Sequence, residues 1–177
     1  GEPLDPEVAS DIEGGLKKSF YDGKLRASLG AYLITKNNLA LAVPGEQFFV
    51  QSGEVQSRGI EFDLQGEILP GLTGVLNYAN TNVEITEDAN PENVGNRLAG
   101  HARHITNGWF TYTFSENSFL KGFGASLGYQ YQINRASWSI GADNDSVLPD
   151  YFRMDGGIFW QGTRVRAQLN VNNITDE

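Results

Sequence analysis

The sequence predicts an all-β protein, an antiparallel up-and-down meander of eight long strands. Three observations predict it. Apolar and polar residues alternate with a period of two through most of the chain, as side chains on opposite faces of a strand require. Short turns and long polar connections follow one another in strict succession. The alternating segments run to about 11–16 residues, where strands of ordinary globular sheets average about 5–6.

The elements follow in order. In 10–21, Ile12, Gly14, Leu16 and Phe20 oppose Asp11, Glu13, Lys17 and Ser19. In 24–37, Leu25, Ala27, Leu29, Ala31 and Leu33 oppose Arg26, Ser28, Gly30 and Lys36. In 55–68, Ile60, Phe62, Leu64 and Ile68 oppose Ser57, Glu61, Asp63 and Glu67. Weaker alternation marks 71–86 and 103–115. In 119–134 one face carries Phe119, Phe123, Ala125, Leu127, Tyr129, Tyr131 and Ile133 over small or polar residues. In 149–161, Phe152, Met154, Ile158 and Trp160 oppose Tyr151, Arg153 and Asp155. In 163–173, Val165, Ala167, Leu169 and Val171 oppose Arg164, Arg166, Gln168, Asn170 and Asn172. Residues 21–24, 69–71, 115–118 and 161–163 are tight turns rich in Gly, Pro, Asn and Asp. Residues 38–53, 87–102 and 135–148 are the long connections, so turns fall on one edge of the sheet and loops on the other.

Composition removes whole classes of function. The 177 residues suit one domain, and 13 Lys+Arg against 22 Asp+Glu leave a net charge of −9, which argues against a nucleic-acid partner. With no cysteine there are no disulfides, thiolate metal sites or cysteine nucleophile. No apolar run approaches the ~20 residues of a transmembrane helix. The acidic start, Gly1 to Pro6, does not read as a secretory leader.

Alternation alone does not say which face is inside. In a soluble β-sandwich or lipocalin-like binding module the apolar face is the core, whereas in an outer-membrane barrel it meets lipid. Long strands, unequal connections and aromatics near strand ends (Phe20, Tyr21, Phe110, Tyr112, Phe114, Tyr129, Tyr131, Trp160) favour lipid. With turns in the periplasm both chain ends emerge on the extracellular side. A small free-standing structural barrel needs them in the periplasm, so the chain reads as a segment of a larger one.

Ordered motifs carry a resemblance. Gly53-Glu54-Val55-Gln56-Ser57-Arg58-Gly59-Ile60-Glu61, followed by Pro70-Gly71-Leu72-Thr73, resembles a strand pair of TonB-dependent siderophore receptors. Leu4-Asp5-Pro6-Glu7 with Glu13-Gly14-Gly15-Leu16-Lys17 is similar to another of that family's strands. Gly95-Asn96-Arg97-Leu98 with Trp109 to Phe114, Leu148-Pro149-Asp150-Tyr151 through Asp155, and Asn170 to Asp176 follow in the family's order. Gly100-His101-Ala102-Arg103 departs from it where a proline is usual. The resemblance implies that residues 1–177 are a C-terminal portion of an outer-membrane barrel, about eight of roughly twenty-two strands. The plug domain and closing strands would lie outside this stretch. It further implies ferric-siderophore uptake, with the siderophore, the lipid bilayer, the plug and, through the plug, TonB as partners.

Candidate residues follow from that expectation. Arg58, Glu61, Asp63, Arg153, Asp155, Arg164 and Arg166 form a polar set expected to face the lumen and the plug. The plainer reading is pairing among themselves across strands. Phe48, Phe49, Arg97, Arg135 and Trp138 are the loop candidates for ligand capture, because cations and aromatic faces suit anionic, aromatic chelates. Their alternative role is to anchor loops. His101 and His104 point to opposite faces of a strand and make no metal site. Asp143, Asn144, Asp145 and Asp150, like Glu84, Glu87, Asp88 and Glu92, lack the spacing of a calcium loop and read as solvated acids. Gly122 to Gly128 lies within a strand and is no nucleotide loop; its glycines are expected to let the sheet bend or a partner approach. No cofactor and no enzymatic activity are expected. An outer-membrane phospholipase would need a Ser–His pair on the lipid face, and none stands out.

Overall fold

Alternation becomes pairing in a single antiparallel sheet. The computed structural model describes residues 5–42, 49–98, 100–136 and 147–177. Strands β1 (Val8–Phe20), β2 (Leu25–Ala42), β3 (Phe49–Leu69), β4 (Leu72–Glu87), β5 (Ala102–Thr113), β6 (Phe123–Ala136), β8 (Tyr151–Gln161) and β9 (Arg166–Val171) each pair with the next. Between β6 and β8, the two-residue β7 (Val147–Leu148) pairs with the end of β6.

Register places all the apolar faces together. Ile12 lies opposite Leu33, Leu29 opposite Phe62, Leu64 opposite Leu76, Phe110 opposite Leu127, and Ile158 opposite both Ala125 and Leu169. Among the described residues nothing packs against this face. Leu16 is 76% exposed, Leu127 50% and Leu169 62%. Among the described residues only Ile85 and Ala102 are buried apolar side chains. A sandwich would cover one face with a second sheet, but all nine strands belong to one. A lipocalin-like or small closed barrel would join β1 to β9, and the strand path leaves both as edges. Both soluble and small-barrel alternatives therefore fail.

Aromatics bracket the apolar face. Phe123 pairs with Trp160 at the turn end of β6 and β8, and Tyr131 with Phe152 toward the loop end. Eight residues separate the two rungs on each strand, about 26 Å along the strand and, at a barrel tilt of ~40°, about 20 Å of the ~25 Å apolar band.

The ends of the elements differ from the sequence pattern in three places. Most of the expected 38–53 connection continues the β2–β3 ladder up to Ala42 opposite Phe49. The ladder passes a register shift at Asn37 and Asn38, where Asn38 adopts φ 60°, a left-handed conformation that Asn tolerates. Residues 119–122 are not strand. They lie in a turn from 114 to 122 held by backbone bonds Ser118 to Ser115, Lys121 to Ser118 and Phe123 to Leu120. Likewise β9 begins at Arg166, after a short connection closed by the Gly162 amide on the Val165 carbonyl.

At the opposite edge, β4 pairs with β5 only as far as Asn80, opposite His104. Beyond that point the connection 88–101 doubles back along β4 and satisfies its free backbone groups. The Ile85 amide donates to Asn96, Gly95 donates to the Ile85 carbonyl, and Leu98 donates to Val83. A short 3₁₀ turn at Pro91–Asn93, capped by the Asn90 side chain accepting from the Glu92 amide, reverses the chain. Ile85, whose backbone this clasp holds, is buried.

Candidate functional site

The polar face gathers most of its expected set. Glu61, Asp63, Arg153, Asp155 and Arg166 share it with Glu13, Lys17, Ser28 and Tyr32 through the register. Asp63 accepts from Ser28 Oγ at 3.1 Å and from Asn77 Nδ2. Arg153 donates to Asp155 at 3.1 Å, and Asp155 also accepts the Asn173 amide at 2.7 Å. The Arg166 guanidinium lies 5.1 Å over the Phe159 ring.

Two members of the set lie elsewhere. Arg58 is two residues from Ile60, so period two turns it to the apolar face, where it pairs with Glu84 at 3.8 Å near the loop edge. Arg164 falls in the turn before β9 and belongs to no strand face.

The sequence reading passed over a trench on the polar face of β1–β3. Gly15 and Gly30 lie opposite each other and give it a floor without side chains. Glu13, Lys17, Tyr32, Glu61 and Asp63 stand around about 610 Å³ of open space. Three carboxylates against one lysine make it acidic. Its signal was present in Glu13, Gly15, Gly30 and Glu61, which fall on the polar parity of three consecutive strands.

Elsewhere the glycine positions of the polar face are filled. A Cβ on Gly128 would lie 2.1 Å from the Trp109 ring, and one on Gly124 2.2 Å from the Phe159 ring. Each ring belongs to the residue directly opposite on the neighbouring strand. Tyr32 lies over Gly59 on the same face, while Phe110 covers Gly74 and Tyr129 covers Gly108 on the apolar face. The glycines of β6 thus accommodate rings of adjacent strands.

At the loop edge the structure brings Arg97 onto Asn134, the sequence neighbour of Arg135. Arg97 donates from Nη1 to Asn134 Oδ1 at 2.6 Å and from Nη2 to its carbonyl at 3.0 Å. Arg135 donates to the Pro149 carbonyl at 3.2 Å and lies 5.7 Å from the Tyr151 ring centre. Asp150 accepts the Asn134 amide at 3.1 Å and Tyr131 Oη at 3.4 Å. Both arginines therefore tie connections to β6. Phe49 opens β3, while Phe48, Trp138, Asp143, Asn144 and Asp145 lie outside the described residues.

The two histidines stand apart. His104 Nδ1 meets Tyr78 Oη at 2.9 Å on the apolar face. His101 precedes β5 beside Arg97 and Arg103. Burial holds its pKa below the usual imidazole range, the Leu98 carbonyl opposes that shift, and the two arginines add to it. Arg97 is likewise lowered, first by burial and then by Arg103.

Known proteins place this geometry. The family described as TonB dependent receptor-like, beta-barrel matches residues 1–174. The chain belongs to the TonB-dependent receptor β-barrel family. The metal-pseudopaline receptor CntO of Pseudomonas aeruginosa is 30% identical over 99% of the chain, and the ferric-pyoverdine 358 receptor of Pseudomonas putida is 31% identical over all of it. The chain spans about a quarter of the length of these relatives, 25% and 22% respectively. The ferripyoverdine receptor of the Pseudomonas aeruginosa outer membrane superposes over 99% of the chain and 24% of its own, with a TM-score of 0.81 at 21% identity. This TonB-dependent receptor stretch is thus an outer-membrane barrel segment, its apolar face turned to lipid, in a family of receptors rather than enzymes.

Proposed function

We propose that the chain supplies wall and mouth to an outer-membrane receptor that takes up a metal–siderophore chelate, with a plug domain and the closing strands outside this stretch. The observation that carries the reading is the coreless, two-faced sheet of a receptor family. One side suits hydrocarbon, and the other is a polar wall suited to enclose an interior. In a closed barrel of about twenty-two strands that wall is the lumen, and Glu61, Asp63, Arg153, Asp155 and Arg166 face the plug. The acidic trench around Glu13, Glu61 and Asp63 suits a basic side chain of the plug. Phe48, Arg97 and Trp138 of the extracellular connections, with Phe49 and Arg135 at the strand ends beside them, meet the chelate, and energy delivered through TonB displaces the plug. Nucleic acid has no part in this.

Uptake tests the reading. Deleting the reading frame should abolish growth under metal restriction on one chelate among ferric pyoverdines, ferrioxamine B and ferrichrome, the cargoes named for its relatives. Complementation should restore it. Undiminished growth on every chelate would overturn the proposal.

A further inference from the structure

On the face turned to lipid, the apolar parity fails in one patch at the loop end of β3, β4 and β5. Asn80 and His104 share a rung with Ile60, and Arg58 and Asn82 share the next rung toward the loops. The rung below joins Phe62, Tyr78, Thr106 and Tyr131, and Tyr131 belongs to the loop-side aromatic bracket. Such aromatics mark the level of the lipid headgroups. The patch begins one step beyond them, about 7 Å along the strands.

Its side chains are arranged to donate outward. Asn80 Nδ2 donates to His104 Nδ1 at 3.1 Å, and Tyr78 Oη meets the same nitrogen at 2.9 Å. Nδ1 is therefore an acceptor, so the neutral ring carries its proton on Nε2. That N–H has no partner among the described residues. The Arg58 side chain is 61% exposed, and its Nη2 lies 3.8 Å from Glu84, a loose pair that leaves Nε and Nη1 unengaged among the described residues. Glu84 also stands across a β-bridge from Arg97. With that carboxylate offsetting the cations, directed donors rather than net charge select the partner. A guanidinium fork beside an imidazole N–H suits phosphate oxygens. The carboxamide oxygens of Asn80 and Asn82 accept no bond from the described residues and suit sugar hydroxyls. In hydrocarbon all these groups would go unsatisfied.

We propose that Arg58, Asn80, Asn82 and His104 form an outward docking site for the phosphorylated sugar headgroup of an outer-leaflet lipid. The site continues the lipid face toward the medium and is independent of the cargo.

Native mass spectrometry of the complete protein in detergent tests it with three probes: bis-phosphorylated lipid A, its dephosphorylated counterpart, and inorganic phosphate. The wild type should retain the bis-phosphorylated lipid about fivefold better than the dephosphorylated one, or more. Arg58→Gln and His104→Phe should each bring that ratio below about twofold, and Arg58→Lys, which keeps the charge, should preserve most of it. Lys121→Gln, in the turn at the opposite edge, should leave it unchanged. A wild-type ratio near one, or a ratio that both variants preserve, overturns the proposal. Displacement of the lipid by inorganic phosphate also overturns it, since the site would then serve the free ion. Loss of both lipids alike in the variants would refute it too, because these side chains would then hold the face together rather than read the headgroup.

Discussion

Leu127 and Glu61 sit at mid-strand on opposite faces, so each answers to a different solvent. Leu127→Arg places a guanidinium in hydrocarbon and should cost about 2–4 kcal/mol in a refolding titration into lipid vesicles. Ile60→Arg should behave alike, and Glu61→Gln should be far milder. Equal costs would contradict the faces. His101 gives a pH-dependent prediction. Its folded pKa is lowered by burial and by Arg97 and Arg103, so below about pH 6.5 the unfolded ring binds a proton more readily than the folded one. The contribution is absent above that pH, and stability is lost as pH falls from there toward the folded pKa. Protection factors of the amides in residues 88–98, taken relative to intrinsic exchange at each pH, should fall on acidification, and His101→Gln should abolish the difference. At this scale the faces were legible in the sequence wherever parity was counted. Arg58 was misplaced because its charge was weighed above its position, one step out of phase with Glu61 and two from Ile60.

Strands, too, hold one another through residues directly opposite. Trp109 lies across Gly128, so Gly128→Ala must displace a ring that a methyl group would meet at 2.1 Å. It should destabilise the barrel by about 1–3 kcal/mol. Trp109→Ala removes the obstacle, and the double variant should be much less than additive; strict additivity in thermal melts would sink the account. Strand existence was readable from alternation, but strand ends were not. Residues 119–122 alternate by coincidence inside a turn. The upper β2–β3 ladder, Leu39 to Ala42 opposite Phe49 to Gly53, lies past a register shift, and a period test on one segment cannot detect pairing with another. The Arg97–Asn134 contact joins residues 37 apart in sequence, and nothing local announces it. Hence the loop candidates were found by chemistry, while the clasp that positions two of them was not.

As a whole, the molecule is a sheet without an interior. With apolar side chains such as Leu16 and Leu169 largely exposed and both edges free, this stretch should aggregate in plain buffer and become monodisperse only with detergent or lipid. A well-behaved monomer in analytical ultracentrifugation without detergent would refute that. Family membership was legible at this scale, because it resides in the order of motifs rather than in any single residue.

The ladder of β6, paired on both sides from Gly124 to Gln132, makes the strand sensitive to counting. Deleting one residue at its centre would send every later side chain to the wrong solvent, greasy groups into water and amides into fat. Deleting two would restore the order at the price of a shorter span. Length variation among related proteins should therefore come in pairs within the spans and in any number beyond them, at the crests that face the medium.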